Sequence, residues 1–553
     1  MKKNRQMLSA CVAAGILTGC MQVGAHRETV YDVVVYGATP GGIAAAVQAT
    51  RMGKRAVLLE PTDRIGGLTT GGLGQTDIGR KEAFGGLARK FYQDVKAYYE
   101  NDGAWHQQKR DDYKPRGQRC WVRGEDSMWT FEPSAALKVL EEWERREALD
   151  IRRRARLDRG AGGVTVEAGR IVGIRTEDGR VFEGRIFIDA TYEGDLLAAA
   201  GVSYTIGREA NEQYGETLNG SQPKQGMHKF TSGVDPYVVK GDKSSGLLPR
   251  IDPTPLATEG AGDRRVQAYC YRMCLTDNPD NRIPFAKPAD YDEREYELFF
   301  RNYEAGADPN ALPWINSPMP NCKTDTNNRS GFSTDFIGQN YAYPEASYAE
   351  RERIAAAHLT YQQGLMWTMA YHPRTPKAIR DEVSRWGLCK DEFTESGGWP
   401  RQLYVREARR MVGEYVMTER DCRRQRVAPN PVALGAYQMD SHHVRRYVGA
   451  DGFVQNEGDV EVDCVAGPYG IAYGSIVPKR GECANLLVPV AISASHIAFG
   501  SIRMEPVFFA LGQASGTAAA LAIDGGSAVQ DVDYARLRER LLADGQRLPG
   551  DRW

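Results

Sequence analysis

Gly37, Gly41 and Gly42, with Glu60 standing 23 positions after the first, are the residues whose spacing most directly implies chemistry. A pyrophosphate at a helix N-terminus meets free N–H groups and the positive end of the helix dipole, and bare glycines let it come close. An acid at the end of the following strand can accept from the hydroxyls of an adenosine ribose. Together these residues imply a bound dinucleotide. Thr39 stands where the G-x-G-x-x-G pattern has its middle glycine, with Pro40 beside it. Proton-handling side chains are fewer. Of eight histidines, His442 and His443 lie in MDSHH and His496 lies in SASH, shortly before Arg503.

Positioning the first set requires a strand, a turn, a helix and a second strand. Val33 to Val35 is a β-branched run suited to a buried parallel strand. Gly37 to Gly42 supplies the turn, Ile43 to Met52 a small-residue helix ended by Gly53, and Arg55 to Leu59 the second strand. Pro61 to Gly74, PTDRIGGLTTGGLG, then follows as a glycine-dense loop. A nicotinamide-binding domain normally enters another crossover helix here. Bare, extended backbone lying along a long ligand points to FAD.

These motifs resemble the FAD-dependent oxidoreductase family of mostly secreted bacterial flavoproteins, some labelled xanthan lyase and distantly related to heterodisulfide reductase A-type flavoproteins. The resemblance extends to IDATYEGDL (188–196), QAYCYRMCLTDNPDNRIPF (267–285), KTDTNN (323–328), STDFIGQNYAYPEA (333–346), MDSHH and the block 485–522. It implies that the first turn and the loop after Glu60, with Arg64, Gly66 and Gly67, hold the ADP half of FAD. Thr191, Gly194 and Asp195 of the Thr-x-x-Gly-Asp turn, with Glu505, Gly512 and Gly516 of a C-terminal small-residue helix, complete the cofactor site.

The expected fold is α/β: a Rossmann-like FAD-binding domain, βαβ with a central parallel sheet and a β-hairpin insertion, interrupted by a mixed α+β substrate or cap domain. Residues 30–204 and 431–530 form the two parts of the FAD-binding domain, 205–430 the cap and 531–553 a C-terminal tail helix. Val164 to Thr176 and Val181 to Asp189 read as hairpin strands. In the cap, 310–326 and 331–343 read as ordered loops, and 406–419 as a helix with an Arg410–Glu414 pair on a solvated face.

A flavin takes hydride, so an alcohol substrate needs a base for its O–H proton. A neutral imidazole, of ordinary pKa about 6.5, suits that near neutral pH. His496 is the leading candidate, with Arg503 as a fixed cation where negative charge grows on the reduced flavin. His443, with His442 in reserve, would orient the substrate or share the proton. Asp325, Asn328, Asp335 and Asn340 suit a hydroxyl-rich ligand, and loop capping suits them equally.

Lys+Arg 71 against Asp+Glu 72 leaves a net charge of −1, without the basic excess of a nucleic-acid binder. Mean hydropathy is −0.50, and no internal apolar run of about 18 residues is evident. Lys2, Lys3 and Arg5 precede an apolar stretch ending in Leu17-Thr18-Gly19-Cys20, which is similar to a bacterial lipobox. That likeness implies cleavage of residues 1–19, acylation of Cys20, a tether over 20–29 and export to the outer membrane; a plain secretory signal cleaved near Ala25 is the alternative. Disulfides are allowed in that compartment but cannot be assigned from sequence. Cys270 and Cys274 could share a helix face. No metal-ligand spacing is present, and none is expected to be bound. The reading is an exported FAD-dependent oxidoreductase acting on a small polar substrate, sugar-like or polyol-like, with an unidentified electron acceptor. A partner-fed reductase of a C=C or disulfide bond, or a carbohydrate-binding lipoprotein that has lost its flavin, are the alternatives.

Overall fold

The structure is a computed structural model, and it describes residues 30–114, 125–312, 314–464 and 467–550. Cys20 lies outside them. The first unit is built as its sequence pattern requires: β1 (Tyr31–Tyr36), α1 (Pro40–Arg51) and β2 (Ala56–Leu59). The valines of β1 are wholly buried on both faces, Val33 and Val35 against α1 and Val34 against Phe187 and Leu486. That is why the strand is a continuous apolar run and not an alternating one.

Two helices, α2 (Gly86–Glu100) and α3 (Pro133–Arg146), lead to β3 (Asp150–Arg152), which pairs parallel with β2. The expected hairpin resolves into three strands, β4 (Val164–Glu167), β5 (Arg170–Arg175) and β6 (Val181–Asp189), because Ala168 and Gly169 turn the first stretch back on itself. The resulting seven-stranded sheet runs β3-β2-β1-β6-β5-β4. β6 is long enough to serve two partners on one edge. Its start pairs antiparallel with β5, and its end pairs parallel with a short strand, Leu486–Leu487, returning from the far end of the chain.

Within residues 205–430, expected as the cap, lies a five-stranded antiparallel sheet built on β7 (Met273–Thr276), β8 (Arg282–Ile283), β9 (Trp314–Met319), β10 (Lys323–Asn328) and a fifth strand introduced below. Most of 310–326, expected as loop, is therefore part of a hairpin spanning 314–328; Trp314, buried at its start, anchors it in a second core. That core is filled by α4 (Tyr348–Tyr371), which sets Tyr361, Leu365, Met366 and Met369 against Met273 and Leu275. The fifth strand is β11 (Gly387–Cys389), giving the order β9-β10-β7-β11-β8. Cys274 is in β7, so the i, i+4 helix face with Cys270 does not exist. Instead Cys274 Sγ lies 3.8 Å from Cys389 Sγ on the neighbouring strand.

Residues 406–419 are not a helix either. The only regular backbone from Arg406 to Thr418 is the short strand Arg410–Met411. The cause is charge placement: Arg406, Arg409 and Arg410 are buried and bind acids far away in sequence, a demand that a solvated helix face cannot meet. Arg410 pairs with Glu209 and Glu407 at 2.7 Å each, not with Glu414.

An antiparallel pair, β12 (Met439–Ser441) and β13 (Val460–Val462), precedes the last helices, α5 (His496–Ile502), α6 (Glu505–Gly525) and α7 (Tyr534–Ala543). α6 is long and apolar enough to cross a membrane, contrary to the sequence expectation, but 94% of its apolar window is buried inside the fold. It crosses α1 closely. A Cβ on Gly512 would stand 2.0 Å from Gly41 O, and one on Gly516 2.5 Å from Ala45 O. The two glycines thus serve helix packing, which corrects their expected role as cofactor contacts. Gly512→Ala should cost about 1–3 kcal/mol by overpacking a backbone contact that cannot yield. Denaturant unfolding of the flavin-free protein checks this.

Candidate active site

At the end of β1 the chain turns without room for side chains. Gly37 has φ +98°, and a Cβ on Gly42 would lie 1.8 Å from Gly37 O. Thr39 is the N-cap of α1: its Oγ1 donates to Ala190 O at 2.7 Å and accepts weakly from Gly42 N at 3.4 Å. Threonine here ties the turn to the end of β6, which a glycine could not do. Pro40 follows at the first helical position, where a missing N–H costs nothing. Glu60 is buried, accepting from Ala38 N at 2.9 Å and from Thr62 N and Oγ1 at 2.7 and 2.6 Å. Burial pushes its carboxyl pKa up.

The glycine-dense loop packs onto the Thr191–Asp195 turn and the start of α6. A Cβ on Gly67 would strike Tyr192 OH at 2.4 Å. Tyr192 OH accepts from Leu68 N at 3.0 Å and donates to Glu505 Oε1 at 3.0 Å, while Thr69 Oγ1 donates to Glu505 Oε2 at 2.8 Å. Three segments expected to contribute to one site therefore meet at one carboxylate, whose pKa burial pushes up to about 7. Gly66 (φ +95°) and Gly194 (φ +66°) supply left-handed backbone at the two turns, and Gly194 N donates to Thr191 Oγ1 at 3.0 Å. Arg64 is spent on the fold, donating to Thr70 O at 3.0 Å and lying over the Phe393 ring. Asp195 is likewise spent. Burial alone would raise its pKa, but Arg351, bidentate at 2.6 and 2.9 Å, and Arg409 at 2.9 Å hold it down.

The residues present fit FAD. The first-turn amides of α1 have no intrahelical acceptors and suit a pyrophosphate. Glu60, just after β2, would take the ribose end. Two residues before Glu505, Arg503 leaves its Nε buried with no protein acceptor.

The glycine-dense loop continues into the wall of a polar cavity of about 160 Å³. This is below the roughly 300–1,000 Å³ usual for drug-sized ligands and suits a small molecule. Gln75 and Asp77 come from the loop, Arg272 and Asn328 from the cap, and Asp440 and His442 from β12 and the residues just after it. Asp325 does not line the cavity. It binds Arg272 in a bidentate pair at 2.9 and 2.6 Å and accepts from Gln75 N at 3.0 Å, joining cap to loop. Asn340 is structural too, donating to Gln267 O at 2.8 Å.

The histidines separate sharply. His442 lines the cavity, with Nδ1 2.7 Å from Asp335 Oδ2. Asp335 is itself held by Arg406 at 3.0 Å. Burial, assisted by Arg406, pushes the His442 pKa down to about 4, so the ring rests neutral. His443 lies behind it, with Nε2 3.2 Å from Met227 O and His228 O. His496, expected as the base, is buried elsewhere: its Nδ1 is 2.7 Å from Glu407 Oε2, and its backbone N–H donates to Glu209. Burial opposes the Glu407 charge, but His496 and Arg410 hold that pKa down at about 2. The network explains His496 as a structural hydrogen-bonding partner of Glu407, and it does not line the cavity. Arg503 donates to Tyr404 OH at 2.9 Å and Asp440 O at 3.2 Å, beside the same cavity wall. Sequence reasoning missed His228, Asp77, Arg272, Asp440, Asp459 and Glu461, all lining the cavity. Only Asp440, the acid within MDSHH, and Arg272, within the segment 267–285, carried a signal.

The fold and this site define a flavin-binding oxidoreductase. The chain matches the family described as FAD dependent oxidoreductase over residues 32–541, and it belongs to that family. It is an oxidoreductase whose cofactor is FAD. No curated protein matches it. Among solved structures it is similar to a flavin-containing monooxygenase from Stenotrophomonas maltophilia (18% identity, 36% of this chain and 45% of that one, TM-score 0.19). It is also similar to a flavoprotein/dehydrogenase from Cytophaga hutchinsonii (18%, 32% and 42%, 0.21). A third is a bacillithiol disulfide reductase from Staphylococcus aureus (14%, 30% and 39%, 0.19). The matched part is under half the length of each of these chains.

Proposed function

We propose that the protein oxidises a hydroxyl of a small polar, sugar-like or polyol-like molecule bound in the cavity, with His442 as the base. The Asp335–His442 contact carries this reading. A carboxylate on Nδ1 keeps the proton there and leaves the Nε2 lone pair free to accept one. When that ring takes the substrate's O–H proton, Asp335 stabilises the imidazolium formed, as an orienting acid does in hydrolase triads. Bound FAD supplies the hydride acceptor. Arg503 and Asn328 are the polar groups that would hold charge and hydroxyls in place around the reacting carbon.

Anaerobic reduction of the bound flavin by a panel of sugars, sugar acids and polyols tests the activity. A panel that leaves the flavin fully oxidised would overturn it. Arg503→Ala should lower the flavin reduction potential, because a fixed cation that favours the reduced anion is lost; spectroelectrochemistry of the FAD-loaded variant reads this directly.

We also propose that the protein is exported. The lipobox ending at Cys20 supports an acylated, outer-membrane-anchored protein. Cys20→Ala should abolish incorporation of radiolabelled fatty acid, and labelling that persists would exclude Cys20 as the acylated residue.

A further inference from the structure

The sheet behind the Arg272–Asp325 pair brings together two cysteines that lie 115 positions apart in the chain. β7 and β11 pair antiparallel, with Gly387 opposite Thr276 and Leu388 opposite Leu275, so the same register sets Cys389 opposite Cys274. Directly opposed residues in such a pair have Cα atoms about 4.5–5.5 Å apart, inside the roughly 4.4–6.8 Å that a disulfide spans. The two Sγ atoms stand 3.8 Å apart. Both residues are fully buried and share a small apolar cluster with Met319 and Phe393.

Touching thiols can bind a metal, serve as a redox couple or close as a structural bond. For a metal, no third His, Cys, Asp or Glu ligand atom gathers with them among the described residues. A redox couple needs a thiol that is accessible and readily ionised. Neither is accessible, and burial pushes the Cys274 pKa well above the ordinary thiol range. A structural bond needs only the geometry. Other thiols are engaged differently: Cys270 Sγ accepts from Arg406 Nη2 at 3.2 Å, and Cys464, beside Cys422, donates to Tyr437 O at 3.1 Å.

The pair also sits where a cross-link has a mechanical effect. Cys389 opens the segment 389–393. Asp391 and Glu392 hold the buried Lys323 of β10 at 3.0 and 2.9 Å. Glu392 accepts from Ser134 N and Oγ at 3.0 and 2.7 Å, at the start of α3, and Arg64 of the glycine-dense loop lies over Phe393. Cys274 is opposite Asp325, whose contacts with Arg272 and Gln75 N join the sheet to the same loop. A bond at 274–389 fixes these two sets of contacts relative to one another.

We propose that Cys274 and Cys389 close as a structural disulfide that clamps β11 and the segment 389–393 to β7. The oxidant is a donor protein disulfide of the export compartment, met before the sheet closes over the thiols. One cysteine displaces a donor sulfur to form a mixed disulfide, and the second displaces the other donor sulfur from it. Two electrons and both thiol protons pass to the donor, which leaves as a dithiol. This rests on the proposed export.

The test takes FAD-loaded protein from three sources: exported with residues 1–19 intact, made in a cytoplasm kept oxidising, and made in one kept reducing. Each sample is unfolded in the presence of an alkylating agent, digested without reduction and mapped by mass spectrometry. The exported and oxidising samples should yield a linked Cys274–Cys389 peptide in near-stoichiometric amount, and the reducing sample both cysteines alkylated. The linked protein should melt a few degrees above the reduced one, because a cross-link over so long a loop restricts the unfolded chain. Cys389→Ala should lose most of that difference. Alkylated Cys274 and Cys389 from the oxidising cytoplasm, or either one linked to a different cysteine, would overturn the pairing, and equal melting would overturn the clamp. A linked peptide from the oxidising cytoplasm, with both thiols free in the protein made with residues 1–19, would keep the pair and remove export.

Discussion

Gly42→Ala should yield protein without FAD. The new Cβ would stand 1.8 Å from Gly37 O and 3.1 Å from the Ala190 Cβ. Neither neighbour is a flexible side-chain end. To admit the methyl, the turn must pull away from β6 or α1 must slide along α6, and Gly41 O, facing Gly512, blocks the second route. The first-turn amides of α1 then no longer point where a pyrophosphate needs them. A displacement of 1 Å at such a site forfeits oriented hydrogen bonds and the dipole contribution together. Gly42→Asp adds a buried carboxylate repelled by the phosphates and should fare worse. Gly53→Ala is the control. Gly53 also has positive φ, +73°, but nothing lies within 4 Å of its would-be Cβ. It should cost about 1 kcal/mol of backbone strain and keep its flavin. The ratio of visible to ultraviolet absorbance in the purified variants decides the matter. A yellow Gly42→Ala protein of normal stoichiometry would place the pyrophosphate elsewhere.

The contrast between that turn and the cavity shows what a sequence can carry. Val33 to Glu60 was legible because every link is local: strand, turn and helix are short, and the residues that make the cofactor site are those that shape the backbone. Thr39 was legible only as a departure, since its partner, Ala190 O, is 151 residues away. The proton-handling groups failed in the opposite way. His496 and Arg503 are near in sequence, and that suggested a shared site, yet α5 turns His496 towards Glu407 and Glu209 while Arg503 reaches Asp440. Arg406 and Arg410 read as a solvated face because their acids, Asp335, Glu407 and Glu209, are mostly scattered over the chain. The cavity wall is assembled from cap, loop and the β12–β13 pair, and no local pattern encodes it.

Chemistry should separate the histidines even more sharply. His442→Ala should retain FAD and lose substrate-driven flavin reduction by about a hundred- to ten-thousand-fold, the usual cost of removing a general base. His496→Ala should behave differently. It strips one partner from the buried Glu407, which keeps Arg410 and Gln267. The loss falls on stability, where removing one partner of a buried hydrogen bond costs about 1–3 kcal/mol, and the reduction rate per bound flavin stays near that of the parent. Asp335→Asn tests the mechanism behind the assignment. An amide facing Nδ1 can donate to it, which moves the ring proton to Nε2 and removes the lone pair from the cavity. The rate should then fall about as far as in His442→Ala, with little change in the shape of the cavity wall. The pH profile supplies the sign. A base works when deprotonated, and His442 is held neutral down to about pH 4, so the rate constant for reduction should stay flat through pH 6.5 and fall only as pH drops through about 4. A parent acid limb centred near 6.5, or a His442→Ala enzyme reduced at the parental rate, would transfer the proton to another group.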